Sequence, residues 1–157
     1  MRALAVHAGP RALQHLRERG LNAADVRVIP AAAGGPKGLV LNPLDRFLFG
    51  QWLASCGQTV HLLGASIGAW RMACAAMADP VKALAGMADD YILQDYPHAP
   101  GRAPTPRQVS EVFGQTLDQR LTPRAAEVLS NQRYRLHVFT SRGRGLLARE
   151  GRWRTPL

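Results

Sequence analysis

Apolar residues along this chain alternate between a helical and an extended period, and the switching predicts strands and helices in turn. Pro10 opens and Gly20 closes a short helix with Leu13 and Leu16 on one face. Val26-Arg27-Val28-Ile29 reads as a strand, with Ala31-Ala32-Ala33 as its continuation. Gly34-Gly35-Pro36-Lys37-Gly38 follows as a loop. Asn42 and Pro43, as cap and first position, settle a helix in which Leu44, Phe47, Leu48 and Trp52 repeat at helical spacing. Thr59-Val60-His61-Leu62-Leu63 predicts a second strand, and Gly64-Ala65-Ser66-Ile67-Gly68 a sharp turn into a helix reaching Ala78. Asp79-Pro80 restarts a helix that runs to Leu93. Prolines 97, 100, 104 and 106 with Gly101 make the next stretch a loop. Val109, Val112, Phe113 and Leu117 then mark one side of another helix, and a short helix is expected near 123–130. Tyr134, Leu136 and Val138 alternate with Arg135 and His137, as in a strand.

This order predicts an α/β fold, a three-layer α/β/α arrangement around a mostly parallel sheet. Right-handed crossovers would bring the two glycine loops together at the carboxyl ends of neighbouring strands, where open α/β sheets bind ligands. The 157 residues fit one domain with a real core.

Composition narrows the classes. A hydrophobic content of 46% with 20% charged residues describes a folded globular chain. No apolar run is long enough to span a bilayer, because Arg71 interrupts the best candidate. The start, Met1 to His7, lacks the apolar segment and cleavage site of a secretory signal, so the expected location is cytoplasmic, with peripheral membrane contact allowed. Cys56 and Cys74 show no metal-binding spacing and are expected to pack as small apolar residues. No metal and no cofactor is expected. The net charge of +9 comes from 20 basic against 11 acidic residues, and only Lys37 and Lys82 are lysines. Apart from Arg142, Arg144, Arg149, Arg152 and Arg154 near the end, the basic residues are dispersed, without a stacking aromatic pattern. Nucleic acid is therefore not the expected partner. A solvated surface is the plain reading of this charge, and attraction to anionic lipid head groups its best use.

The chemistry is concentrated in two turns. Ser66 between Gly64 and Gly68, after a strand and before a helix, has the pattern of a nucleophile elbow: the bend strains the serine and lifts its hydroxyl above the sheet. The alternative is a glycine turn in which Ser66 caps the helix. Ester hydrolysis also needs preorganised N–H donors for the oxyanion. Pro36 has no N–H, so the donors expected from the other loop are Gly34, Gly35, Lys37 and Gly38, with Ile67 N–H as the partner after the serine. A phosphate-binding loop is the competing reading. Gly38-Leu39-Val40 lacks the Lys-Ser/Thr of a Walker motif, and Ala33 stands where a dinucleotide fingerprint begins with glycine. A purely structural glycine turn is the third.

A Gly-Gly-Pro-Lys-Gly loop after a strand, followed by helix, strand and Gly-Ala-Ser-Ile-Gly, resembles the patatin-like phospholipase family. Gly34, Gly35, Lys37 and Gly38 match the later positions of that family's oxyanion motif, with Lys37 where arginine is usual and Ala33 in place of the first glycine. Ser66 matches its nucleophile. The resemblance is firm over residues 26 to 80 and loose elsewhere. It implies hydrolysis of lipid acyl esters by a serine–aspartate dyad without a histidine. The family's aspartate stands downstream in an Asp-Gly pair, and none of Asp25, Asp45, Asp79, Asp89, Asp90, Asp95 and Asp118 precedes glycine. The expectation is thus that residues 1–157 form the N-terminal part of a single patatin-like domain, with nucleophile and oxyanion loop but without the base, and little turnover alone. Three alternatives remain: an inactive fragment or copy that binds lipid or a partner; a base among Asp89, Asp90 and Asp95; and an α/β-hydrolase triad using Asp95 with His98 or His137.

Overall fold

A computed structural model of the chain describes residues 5–98, 101 and 103–145. Arg149, Arg152 and Arg154 lie outside them. Three strands, β1 (Val28–Ala31), β2 (Val60–Ala65) and β3 (Tyr134–Phe139), form one parallel sheet in the order β1-β2-β3. Val28 pairs with His61 and Ala31 with Gly64 on one side of β2, Val60 with Tyr134 and Ala65 with Phe139 on the other. The helices are α1 (Pro10–Arg19), α2 (Asn42–Phe47), α3 (Ile67–Ala75), α4 (Pro80–Ile92), α5 (Pro106–Leu121) and α6 (Ala125–Ser130). Mixed helices and an open parallel sheet make this an α/β fold.

Alternation along β2 decides the layering. Val60, Leu62 and Gly64 are buried, while His61 is exposed and Leu63 and Ala65 are half-buried. The buried set faces α3, which packs against all three strands and against α4. Apolar on all sides but for Arg71, α3 buries eight of its nine residues, as a helix enclosed by neighbours does. Trp70 makes edge-on contacts with Phe113 of α5, and Phe49 with Tyr134 of β3, tying outer elements to this core.

Several boundaries differ from the predicted ones: β1 stops at Ala31, Asn42 lies inside α2 with Leu41 at the cap position, and α3 ends at Ala75 instead of Ala78. The first strand starts at Val28, so Val26 and Arg27 belong to the approach from a 3-10 turn over Ala23–Asp25. Asn22 and Asp25 open that turn as a capping box, and it ends at Val26, whose N–H donates to Ala23 O at 3.2 Å just before the strand. The segment after Gly34 is a 3-10 helix over Gly35–Leu41 instead of an open loop, with Pro36 supplying a compatible φ near its start. It runs into α2 and then into one π-helical turn over Leu48–Trp52, where Leu53 N–H reaches back five residues to Leu48 O at 2.8 Å. No helix among the described residues is long and apolar enough to cross a membrane.

Candidate nucleophile elbow and its neighbouring loop

Ser66 sits between β2 and α3 with φ 53° and ψ −127°. Among the described residues it is the one non-glycine with positive φ. That conformation costs roughly 1–3 kcal/mol for a residue with a Cβ and persists only where the surroundings impose it. The surroundings here are backbone. A Cβ at Gly64 would overlap Ala69 Cα and stand 2.7 Å from Ala69 N; one at Gly68 would overlap Ala31 O and stand 2.5 Å from the Ala31 carbonyl carbon. Both glycines are therefore required, Gly64 by the tightness of the turn and Gly68 by the approach of α3 to the end of β1. Squeezed between them, the chain has no relaxed path through residue 66.

The result is an exposed serine at a helix N-terminus that does not act as its cap. Ser66 makes no side-chain cap hydrogen bond; only its carbonyl enters the helix, accepting from Ala69 N at 2.8 Å and Trp70 N at 3.2 Å. Its Oγ thus stands outside the structural role that competed with the nucleophile reading. Ile67 N–H, the next amide, precedes the first intrahelical bond and points with the positive end of the helix.

The structure brings the second loop to this turn. A Cβ at Gly38 would lie 3.2 and 3.3 Å from the two γ carbons of Ile67 and 3.6 Å from Arg71 Cδ, so the 3-10 helix rests on the first turn of α3. The four loop candidates are not equivalent. Lys37 N–H donates to Gly34 O at 3.3 Å, and Gly38 lies deeper in the same helix. Gly34 and Gly35 precede the first bond of that helix, and among the described residues their N–H groups have no backbone partner. Gly35 takes φ 53°, the left-handed region that favours glycine.

A buried ion pair holds the two turns in register. Arg71 of α3 donates from Nε to Asp45 Oδ2 at 2.7 Å and from a terminal nitrogen to Oδ1 at 2.9 Å, and both side chains are about 95% buried. Asn42 adds a buried bond from Nδ2 to the Leu84 carbonyl at 2.7 Å, fixing α2 against α4. Sequence reasoning missed Asn42, Asp45 and Arg71 as site supports. The available signal was Arg71 itself, a charge inside an otherwise apolar helix that needs a buried carboxylate. Nothing local names Asp45 as that carboxylate.

No described side chain hydrogen-bonds the Ser66 hydroxyl. His98 Nδ1 meets the Tyr96 carbonyl at 2.5 Å, and His137 Nε2 meets His61 Nδ1 at 2.9 Å on the open sheet face. Asp79 caps α4, Asp90 pairs with Arg120, Asp95 accepts from Tyr96 N, and Asp118 accepts from Thr122. Cys74 is buried in the core, where desolvation pushes its thiol up to about 12; Cys56 is half-buried. No protein-family model matches the chain, and no curated protein or solved structure matches it.

Proposed function

We propose that this chain carries the nucleophile and oxyanion donors of a serine acyl hydrolase acting on lipid esters, of the patatin-like type. The observation that carries the reading is Ser66: exposed, uncapped and held at φ 53° at the N-terminus of α3, against whose Ile67 the glycine segment packs through Gly38. Ser66 Oγ attacks the ester carbonyl. Ile67 N–H on one side and Gly34 and Gly35 N–H on the other receive the oxyanion, in place of the four loop donors expected from the sequence. Lys37 and Gly38 then shape the loop. One such donor is typically worth about 100- to 1000-fold in rate. The serine proton passes to an aspartate of the dyad that the family resemblance implies, and no described carboxylate fills that role. In the same reading a second helical layer covers the face of the sheet carrying His61, Leu63 and His137, since parallel sheets are ordinarily covered on both sides.

Labelling with a fluorophosphonate probe tests the assignment. The folded chain takes the probe slowly at Ser66, mapped by mass spectrometry, and both Ser66→Ala and denaturation abolish the adduct. An adduct that survives in Ser66→Ala overturns the reading. The unpartnered Ser66 Oγ favours one rival, a lipid-binding module without turnover. Ester binding with no probe adduct at Ser66 would establish that rival.

A further inference from the structure

The segment after the glycine loop is folded with its polar side inward. Asn42 and Asp45 are buried, while Val40, Leu41, Leu44 and Phe47 are 79%, 40%, 36% and 47% exposed. Their three- and four-residue spacing gathers them into one strip along the outside of the 3-10 helix and α2. This inverts the usual order of an amphipathic surface helix, whose apolar stripe faces the core. The cause is the Asp45–Arg71 pair and the Asn42 bond to Leu84 O, which commit the polar side to the interior.

The strip begins two residues beyond Gly38, which rests on Ile67, the residue after Ser66. A second apolar group stands at the same loop. Tyr91 Oη is 3.8 Å from where a Gly35 Cβ would lie, and the next two residues, Ile92 and Leu93, are both exposed. Charge separates the strip from its surroundings. Between Gly35 and Trp52 the ionisable residues are Lys37, Asp45 and Arg46; Asp45 is buried against Arg71, which leaves two exposed cations. Asp89 and Asp95, also exposed, belong to the Ile92–Leu93 side.

We propose that Val40, Leu41, Leu44 and Phe47, flanked by Lys37 and Arg46, form an interfacial docking surface for an anionic lipid bilayer, seating the mouth of the Ser66 site on the membrane. Apolar side chains entering the head-group boundary with cations at the rim match the chemistry of that interface. The choice of a bilayer over a second copy of the chain rests on the lipid-ester reading above.

Co-sedimentation of the chain with phosphatidylcholine vesicles, with and without phosphatidylglycerol, provides the test. The wild type binds the vesicles containing phosphatidylglycerol more tightly, and added salt weakens binding. The triple change Val40→Ser, Leu44→Ser, Phe47→Ser lowers partitioning at least about tenfold, since each exposed side chain loses its apolar contact with lipid. Arg46→Glu erases the preference for anionic lipid. Val28→Ser, on the sheet, leaves binding unchanged, as does Ser66→Ala, so loss of docking and loss of the nucleophile are read separately. Circular dichroism confirms that each variant is folded. Wild-type binding by the triple variant overturns the proposal, as does absence of vesicle binding in the wild type. A wild-type dimer that the triple variant converts to monomer, without vesicle binding, assigns the strip to a second copy and equally overturns it.

Discussion

Ser66 concentrates the local physics of the site in one pair of dihedral angles. Its φ of 53° is strained for any residue with a Cβ, and the two flanking glycines leave no room to relax it. Glycine adopts that conformation without the penalty, at an entropy cost of roughly 0.5–1 kcal/mol. Ser66→Gly should therefore be more stable than Ser66→Ala by about 1 kcal/mol in urea unfolding. Equal stability, or a more stable alanine variant, would show that the turn is relaxed. The pattern of small residue, serine and small residue was legible in the sequence. Which amides stay outside the helix ladder was not, because that depended on Gly35–Leu41 closing into a 3-10 helix and using Lys37 N–H internally.

At the scale of elements, the contact between α2 and α3 aligns the glycine loop with the elbow. Breaking one side of a buried ion pair strands the other charge and typically costs about 3–5 kcal/mol, whereas replacing both partners with apolar residues is often close to neutral. Asp45→Leu and Arg71→Met should each destabilise by that order, with the double variant recovering most of the loss in denaturant titrations. Additive losses would mean that the pair does not couple the two helices. The helical periodicity of Leu44, Phe47, Leu48 and Trp52 located a helical segment correctly but not its orientation. The interior side instead holds Asn42, Asp45 and Phe49, and the π-helical turn after Phe47 shifts the later residues around the axis. A single-segment pattern cannot see that rotation, since the ion pair that sets it lies 26 residues apart in the chain.

Across the whole molecule, Glu127 links the last helix to the turn between α3 and α4. It accepts from Ala78 N at 2.8 Å and from two nitrogens of Arg124. The hydrogen bond from Arg124 and then the one from Ala78 hold its carboxyl below the ordinary glutamate range. A carboxylate whose folded pKa lies below its unfolded one stabilises at neutral pH, and that contribution fades as pH falls through the folded value. Glu127→Gln should flatten the loss of stability measured below about pH 4.3 and change little of its shape above it. An unchanged acid limb would remove Glu127 from that account. Alternating periods, glycine punctuation and the spacing of two turns were enough to determine strand and helix order, the parallel sheet, and Ser66 with its flanking glycines, because each is set within a few neighbouring residues. Tertiary structure alone decided which amides remain available, which carboxylate answers Arg71, and which side of α2 meets solvent. Those choices depend on groups distant in sequence competing for the same buried space, and only the packed chain resolves that competition.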